Sequence, residues 1–340
     1  MEKELSKIET KKLEREYSRQ EMLIKAAKMY YLDGASQEEI ARHLNMSRSN
    51  ISKMLKECRK LGIVEISINE RSLKSIQLRS RLMKIFGLKE LIITPKTDDE
   101  IENKENIGKA VSRYLETIMH DNMEVGLTWG SSIYHVVKAL RPTSFNNINV
   151  IQLMGGTGMR DNKFDPVALV TSFAEKTGGQ SRILNAPLIV KSKELRDLLL
   201  EDENIAYQLK LAEKADIALV GIGTNHPASS ALVRAGYLKP EESLSLYKDG
   251  LYGHICGWHI DIYGTPGDVV WNERIIGIKP SVLRKIPVTI GMGTGANKVK
   301  AIISSLRGKY INVLVTDENT ASLMMNYLMD ENILGFNFDE

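Results

Sequence analysis

From Leu91 to Val315 the chain repeats one pattern: a run of four to six residues rich in apolar side chains, a break, then apolar residues at helical spacing. The runs are Leu91–Thr94, Met123–Leu127, Ile148–Leu153, Ser181–Leu184, Asp216–Val220, Val288–Met292 and Ile311–Val315. The helical stretches are Asn106–Met119, Ile133–Ala139, Pro166–Lys176, Lys193–Glu203, Lys298–Leu306 and Thr320–Met329. Strands that are apolar on both faces need cover on both faces. Alternation with helices supplies that cover, so the pattern predicts an α/β domain built on an open, mostly parallel sheet between helical layers. Right-handed crossovers then gather the C-terminal strand ends along one edge, where such sheets bind ligands.

The first sixty-odd residues follow a different rule. Met22, Leu23, Ala26, Ala27, Tyr30 and Tyr31 share one helical face, which ends near Asp33-Gly34. Ser36 with Glu39 forms a capping box that opens a second helix, with Ile40, Ala41 and Leu44 apolar. Asn45 sits where a tight turn wants positive φ, and Ser47 can cap a third helix that buries Ile51, Met54 and Leu55. A small residue at 41, a turn-tolerant one at 45 and an aliphatic one at 51 give the spacing of a helix-turn-helix. The outer face of the third helix then carries Arg48, Ser49, Asn50, Ser52, Lys53 and Lys56. Asn and Arg can pair bidentately with base edges, while Ser and Lys suit phosphate oxygens. Ile63 to Ile68 alternates like a short wing strand, and Ser72 to Phe86 is a further amphipathic helix. That helix either self-associates or packs on the larger domain.

Charge supports the DNA reading by its distribution. The chain carries a net charge of only +3, yet Arg42, Arg48, Lys53, Lys56, Arg59 and Lys60 face Glu57 alone among the carboxylates of residues 42–60. Such a local patch suits a phosphate backbone, although a solvated helix face gives the same count. The expected organisation is a charged extension over 1–18, a winged-type helix-turn-helix domain over 19–70, a linker helix over 71–87 and an effector domain over 88–340.

Glycine-rich turns fall at the expected strand ends: Gly126 to Ser132, Gly155 to Gly158, Gly221 to Thr224 and Gly291 to Ala296. Glycine lets a backbone approach a ligand, though strand-to-helix turns also use it for geometry alone. The Ser131 and Ser132 hydroxyls, with the free amides of a following helix, make a phosphate cradle. Gly291-x-Gly-x-Gly-Ala296 with Asp317 downstream imitates a dinucleotide fingerprint, but its glycines miss the required spacing and the unit closes the fold rather than opening it. No phosphate-loop lysine motif occurs, and no cofactor or metal is expected.

Taken together and in this order, several segments resemble the SorC family of sugar-responsive bacterial regulators. They are Gly126-Leu-Thr-Trp-Gly-Ser-Ser132, Leu153-Met-Gly-Gly-Thr157, Asn185-Ala-Pro187, Ala215 to Gly223, Gly253-His-Ile-Cys-Gly257 with Asp261, and Asn297 to Ile302 with Val315-Thr-Asp-Glu318. The resemblance implies an effector domain similar to the ribose-5-phosphate isomerase and glucosamine-6-phosphate deaminase folds. It implies that Gly130, Ser131 and Ser132, beside Trp129, hold an effector phosphate. Gly155, Gly156, Thr157 and Asp165 would border the sugar, Asp261 would accept from its hydroxyls, and Lys298 would meet the phosphate or a carbonyl. The chain departs from the family at His254, where members often carry an acid, and at Thr294-Gly295, where they often read Gly-Gly. Both positions are expected to face the pocket. His259 reads as a core histidine, and His226 as a ligand contact or a solvent-facing residue.

The implied partners are double-stranded operator DNA and a small phosphorylated sugar or polyol, bound by a homotetramer built as a dimer of dimers. No apolar run is long enough to span a membrane and no signal-peptide core is present, so a cytoplasmic, non-enzymatic regulator is expected. Cys58 and Cys256 are expected to be reduced and buried. The rival reading is a sugar-phosphate isomerase or deaminase with a DNA-binding appendage. Turnover would need an acid/base pair, and only Asp165, His254 and Asp261 offer one.

Overall fold

The computed structural model describes residues 19–64, 73–156 and 164–330. The wing strand falls mostly outside these residues, as does Thr157. The chain divides into two compact units, 1–70 and 71–340.

In the first unit, helix α1 (19–31) is followed by α2 (Gln37–His43) and α3 (Arg48–Lys60). The α2 cap is the expected box: Ser36 Oγ accepts from the Glu39 amide and the Glu39 carboxylate accepts from the Ser36 amide at 2.8 Å. Ser47 caps α3 through the Asn50 amide. Between them Asn45 takes φ +54°. Ile40, Ala41, Ile51 and Leu55 close one small core with Ala26, while Leu23, Ala27 and Cys58 close another. Asn45→Val should lower the stability of this unit by about 1–2 kcal/mol, because a β-branched side chain resists the left-handed region. Chemical denaturation followed by circular dichroism would measure it, and an unchanged midpoint would show that the turn relaxes elsewhere.

In the second unit all seven expected strands form one parallel sheet. They are β1 (Glu90–Thr94), β2 (Glu124–Leu127), β3 (Asn149–Gln152), β4 (Gln180–Arg182), β5 (Ile217–Gly221), β9 (Val288–Met292) and β10 (Val313–Asp317). Their order is β1-β10-β9-β5-β2-β3-β4. Helices α5 (Glu100–Ile118), α6 (Ser131–Ala139), α7 (Pro166–Thr177), α13 (Val299–Arg307) and α14 (Glu318–Asp330) cover it, as the double-sided apolar strands require. A second sheet is antiparallel and small, with β6 (Gly223–Thr224), β7 (Gly253–Ile255) and β8 (Trp258–Ile260). Between its strands run the short helix α10 (Ala231–Arg234) and α11 (Pro240–Lys248), and a further short helix, α12 (Pro280–Leu283), precedes β9. The expected helix over Lys193–Glu203 is instead a pair, α8 (Lys193–Leu200) and α9 (Glu203–Ala212), divided where Asp202 caps α9.

Helix α4 (Leu73–Phe86) belongs to this larger unit rather than standing apart as a linker. Leu82 is fully buried in the main core, Arg79 Nε donates to the Leu91 carbonyl, and its guanidinium pairs with Glu90. Of the two readings of this helix, packing is the one observed within the chain. Both cysteines are buried free thiols. Among the described residues no helix is long and apolar enough to cross a membrane.

Candidate functional site

The sheet order reverses between β2 and β5. From β2 the chain steps to β3 and β4 on one side, while β5, β9 and β10 lie on the other. The loops leaving the adjacent ends of β2 and β5 therefore diverge, and such a divergence opens a crevice. A cavity of about 510 Å³ lies there, a size ordinary for a small-molecule site. Thr128 to Ser132 line it from the β2 side, and Gly221 to Gly223 from the β5 side. Thr128 Oγ1 ties the two loops, accepting from the Gly221 amide at 3.1 Å and donating to the Leu219 carbonyl.

Gly130 precedes α6 with φ +118°, a conformation that an L side chain resists. It turns the first amides of α6 toward the loop, and those amides have no partner inside the helix. Lys298 approaches from the end of β9, through the turn Gly295–Lys298 that leads into α13. Its position is fixed by its neighbour. Thr224 Oγ1 donates to the Asn297 carbonyl at 2.8 Å, and Asn297 Nδ2 donates to Ser229 Oγ. Lys298 is half-buried in the cavity wall. Burial lowers its pKa to about 8, Arg234 and Lys104 push in the same direction, and Glu100 opposes them.

His254, on β7, lines the same cavity and is buried. Its ring lies over Gly223, where a Cβ would come within 2.0 Å of Cε1. Only glycine at 223 leaves room for it. Burial holds this imidazole well below its ordinary range, helped by His259, Lys298 and Arg234, so it is neutral. Its Nε2 has no hydrogen-bond partner among the described residues, nor has Nε1 of Trp129 in the same wall.

Of the residues expected at an effector site, the cavity gathers Trp129, Gly130, Ser131, Ser132, His254 and Lys298. Others have different positions. Gly155 and Gly156 do not line it. A Cβ on Gly155 would meet the Pro187 backbone at 2.4 Å, and the Gly156 amide and carbonyl bond Ala186 and Leu188. Those glycines serve the close approach of the Asn185–Pro187 segment, which explains why both segments occur together. Asp165 caps α7 by accepting from the Val167 amide at 2.9 Å. Asp261 is a correction as well. Its Oδ1 accepts from the Tyr263 and Thr265 amides, so it orders a turn and does not line the cavity. Asp317, the acid of the false dinucleotide pattern, is buried and accepts from Thr320 and Asn103. His259 is a core residue as expected, with Nδ1 3.0 Å from Asn225 Oδ1. His226 does not line the cavity and packs edge-on against Tyr247.

The cavity also contains residues the sequence pattern did not single out. Glu100 and Lys104 come from the first turns of α5, and Arg234 from the end of α10. Gly108 allows α5 to approach α6, since a Cβ there would meet the His135 carbonyl at 2.4 Å. Glu100 and Arg234 are exposed at the rim. Glu100 is bonded to Lys104, which keeps its carboxyl below the usual range. Asp99 caps α5 by accepting from Ile101 and Glu102, and this cap was the readable signal that the helix starts six residues before the expected Asn106.

On the first unit, Arg48, Ser49, Asn50, Lys53 and Lys56 are exposed along α3 and Ser52 is half-buried. Arg48 lies 3.5 Å from Glu38, both well exposed, a pair that water and salt weaken easily. The other side of α3 holds Ile51, Leu55 and Cys58 in the core. The helix therefore separates a packing face from a polar one.

Comparison with known proteins agrees with both units. A sugar-binding domain family matches residues 70–326, and a winged helix-turn-helix DNA-binding family matches residues 33–65. The deoxyribonucleoside regulator of Bacillus subtilis is 29% identical over 311 residues, covering 91% of this chain and 99% of that one. The sorbitol operon regulator of Klebsiella pneumoniae is 28% identical, covering 89% and 97%. The full-length crystal structure of that regulator, SorC, superposes with a TM-score of 0.78 at 27% identity, covering 90% of this chain and 98% of that one. A reading unit for DNA and a sugar-binding α/β unit are thus joined in one polypeptide, and the chain belongs to the SorC-type family of sugar-binding transcriptional regulators.

Proposed function

We propose that the chain is an operator-binding regulator whose larger unit senses a phosphorylated sugar or polyol in the β2/β5 cavity. The observation that carries this reading is the meeting of the α6 N-terminus with Lys298, Lys104 and Arg234 in one cavity. Helix amides and a nearby ammonium attract a phosphoryl group together. Ser131 and Ser132 add hydroxyls at the same helix start. The protein acts by binding and not by turnover. Glu100, the only carboxylate among the described lining residues, is exposed and already bonded to Lys104. His254 meets His259 edge-on rather than an acid, so among the described residues no acid/base pair faces a substrate.

The regulator works in the cytoplasm as a homotetramer, a dimer of dimers, with paired α3 helices on an operator. Effector binding shifts the equilibrium between two arrangements by its difference in affinity for them, about 1–3 kcal/mol for ordinary coupling. A thermal-shift screen of sugar phosphates against the same sugars without phosphate tests the sensor. The esters should raise the melting point, since a ligand that binds the native state stabilises it. Equal stabilisation by the unphosphorylated sugars would remove the phosphate from the account.

Arg48 and Asn50 read base edges, and Ser49, Ser52, Lys53 and Lys56 meet phosphate. Asn50→Ala should relax operator discrimination by about 1–3 kcal/mol at one base pair. Lys56→Ala should weaken all duplexes alike and reduce the salt dependence by roughly one counterion. Filter binding at several salt concentrations separates the two. Identical profiles for both variants would dissolve the division of labour.

A further inference from the structure

Helix α8 is rich in leucine, yet none of its residues is buried. Leu199 and Leu200 lean on a small core around Ile205 and Ile276. Leu195 and Leu198 do not. They lie three residues apart on one face, and they are 41% and 65% exposed. A single exposed leucine needs no explanation, but a ridge of them beside an apolar groove does.

That groove runs along the foot of the helix and has a volume of about 410 Å³. Ile189, Leu195, Tyr237 and Trp271 supply its apolar walls. Lys191 and Arg274 stand over it, and no carboxylate occurs among its described lining residues. Arg274 lies 5.4 Å from the centre of the Trp271 ring, and its Nε is buried with no hydrogen-bond partner among the described residues. The ridge carries the opposite charge. Its cations Lys193 and Arg196 are already paired, with Glu273 and Asp197. The exposed carboxylates of Glu194, Glu201 and Asp202 then flank Leu198. An apolar ridge edged by acids and an apolar groove edged by cations thus share one surface of the larger unit, and Leu195 belongs to both. Two matching halves on one surface are what a two-fold contact requires, the ridge of each copy entering the groove of the other.

We propose that this face is an interface between two copies of the chain, in which Leu198 of each enters the other's groove and Glu201 meets the other's Lys191. The inference rests on the homo-oligomer proposed above and goes further by naming one of its surfaces. The groove also reaches toward the sensor. Tyr237 donates to the Gly156 carbonyl at 2.8 Å, and it follows Arg234, a residue of the effector cavity, by three positions. A copy seated in the groove therefore rests against the segment that carries Arg234.

The test is sedimentation velocity of the full chain over a range of concentrations. Leu198→Glu replaces an exposed side chain, so the melting profile should hold. Self-association should weaken at least about thirtyfold, as for an anchor near the centre of an interface. Lys191→Glu and Glu201→Lys should each weaken it several-fold, since like charges then face each other across the two-fold axis. An equal mixture of those two chains should assemble again, because both of its contacts join opposite charges. Recovery on mixing has no source within a single chain. Self-association of Leu198→Glu within a few-fold of the parent, charge variants that assemble like the parent, or no recovery on mixing overturns this interface and leaves the oligomer standing. A parent chain that stays monomeric at every concentration overturns both.

Discussion

Affinity for a phosphorylated effector is expected to hold level near neutral pH and then fall as the pH rises above about 8. Below that value Lys298 is protonated before the ligand arrives, so binding takes up no proton from it. Above it the empty site holds a neutral amine, and an anion must draw a proton in to restore the ion pair. Affinity then drops by up to tenfold per pH unit until the pKa of the bound state is reached. A phosphate monoester is already a dianion here, with its second pKa about 6, so the slope belongs to the protein. Stability of the empty protein should move the opposite way. The unfolded lysine titrates near 10.5, so between about 8 and 10.5 the unfolded chain holds more protons, and the Lys298 contribution to folding stability rises with pH. Lys298→Met should abolish both slopes and cost about 10–100-fold in effector affinity, the worth of a charge-assisted hydrogen bond. Calorimetry across the pH range, in two buffers of different ionisation enthalpy, would count the protons directly. An affinity profile that stays flat through pH 8 would mean that the anion does not meet Lys298.

A second large effect is expected from the small core of the first unit. Ile51 is fully buried at the seam where α3 returns onto α2. Truncating such a residue costs about 2–5 kcal/mol, and a unit of this size has little stability to lose. Ile51→Ala should therefore abolish operator binding while leaving effector-induced stabilisation of the larger unit intact. Calorimetric scanning would separate the two units, and operator binding within a few-fold of the parent would contradict the assigned seam. The contrast with Lys298→Met is diagnostic, because one substitution removes DNA reading and the other removes sensing.

The large sheet was legible in the sequence because its strands are buried on both faces. Val288–Met292 needed no adjustment, and the other strands shifted by only a few residues. The helix-turn-helix was legible because Ser36, Glu39, Asn45 and Ser47 each carry a local signal that acts within four residues. The cavity was only half legible. Its sequence-visible part follows β2 and β9, where glycine and small hydroxyl residues mark the turns. Arg234 sits on a helix of four residues, too short to show a period. His254 sits on a strand of three, in the small antiparallel sheet that periodicity did not reveal, and only the family resemblance pointed to it. Lys104 was missed because α5 begins at Glu100, ahead of the first strongly apolar face. Gly155 illustrates the opposite error. A glycine that admits Pro187 and one that admits a ligand look the same in one dimension. Asp261 likewise reads as a hydroxyl acceptor until its oxygen is found between two turn amides.

The edge strand β1 has a single neighbour in the sheet, β10, and Glu90 meets Val313 there. During synthesis β1 must wait for β10, the last strand of the sheet in chain order, to leave the ribosome before it finds its place. The three amino-terminal helices face no such delay, since their contacts are local. The smaller unit can thus complete its fold on each new chain while the sheet of the larger one still lacks a strand.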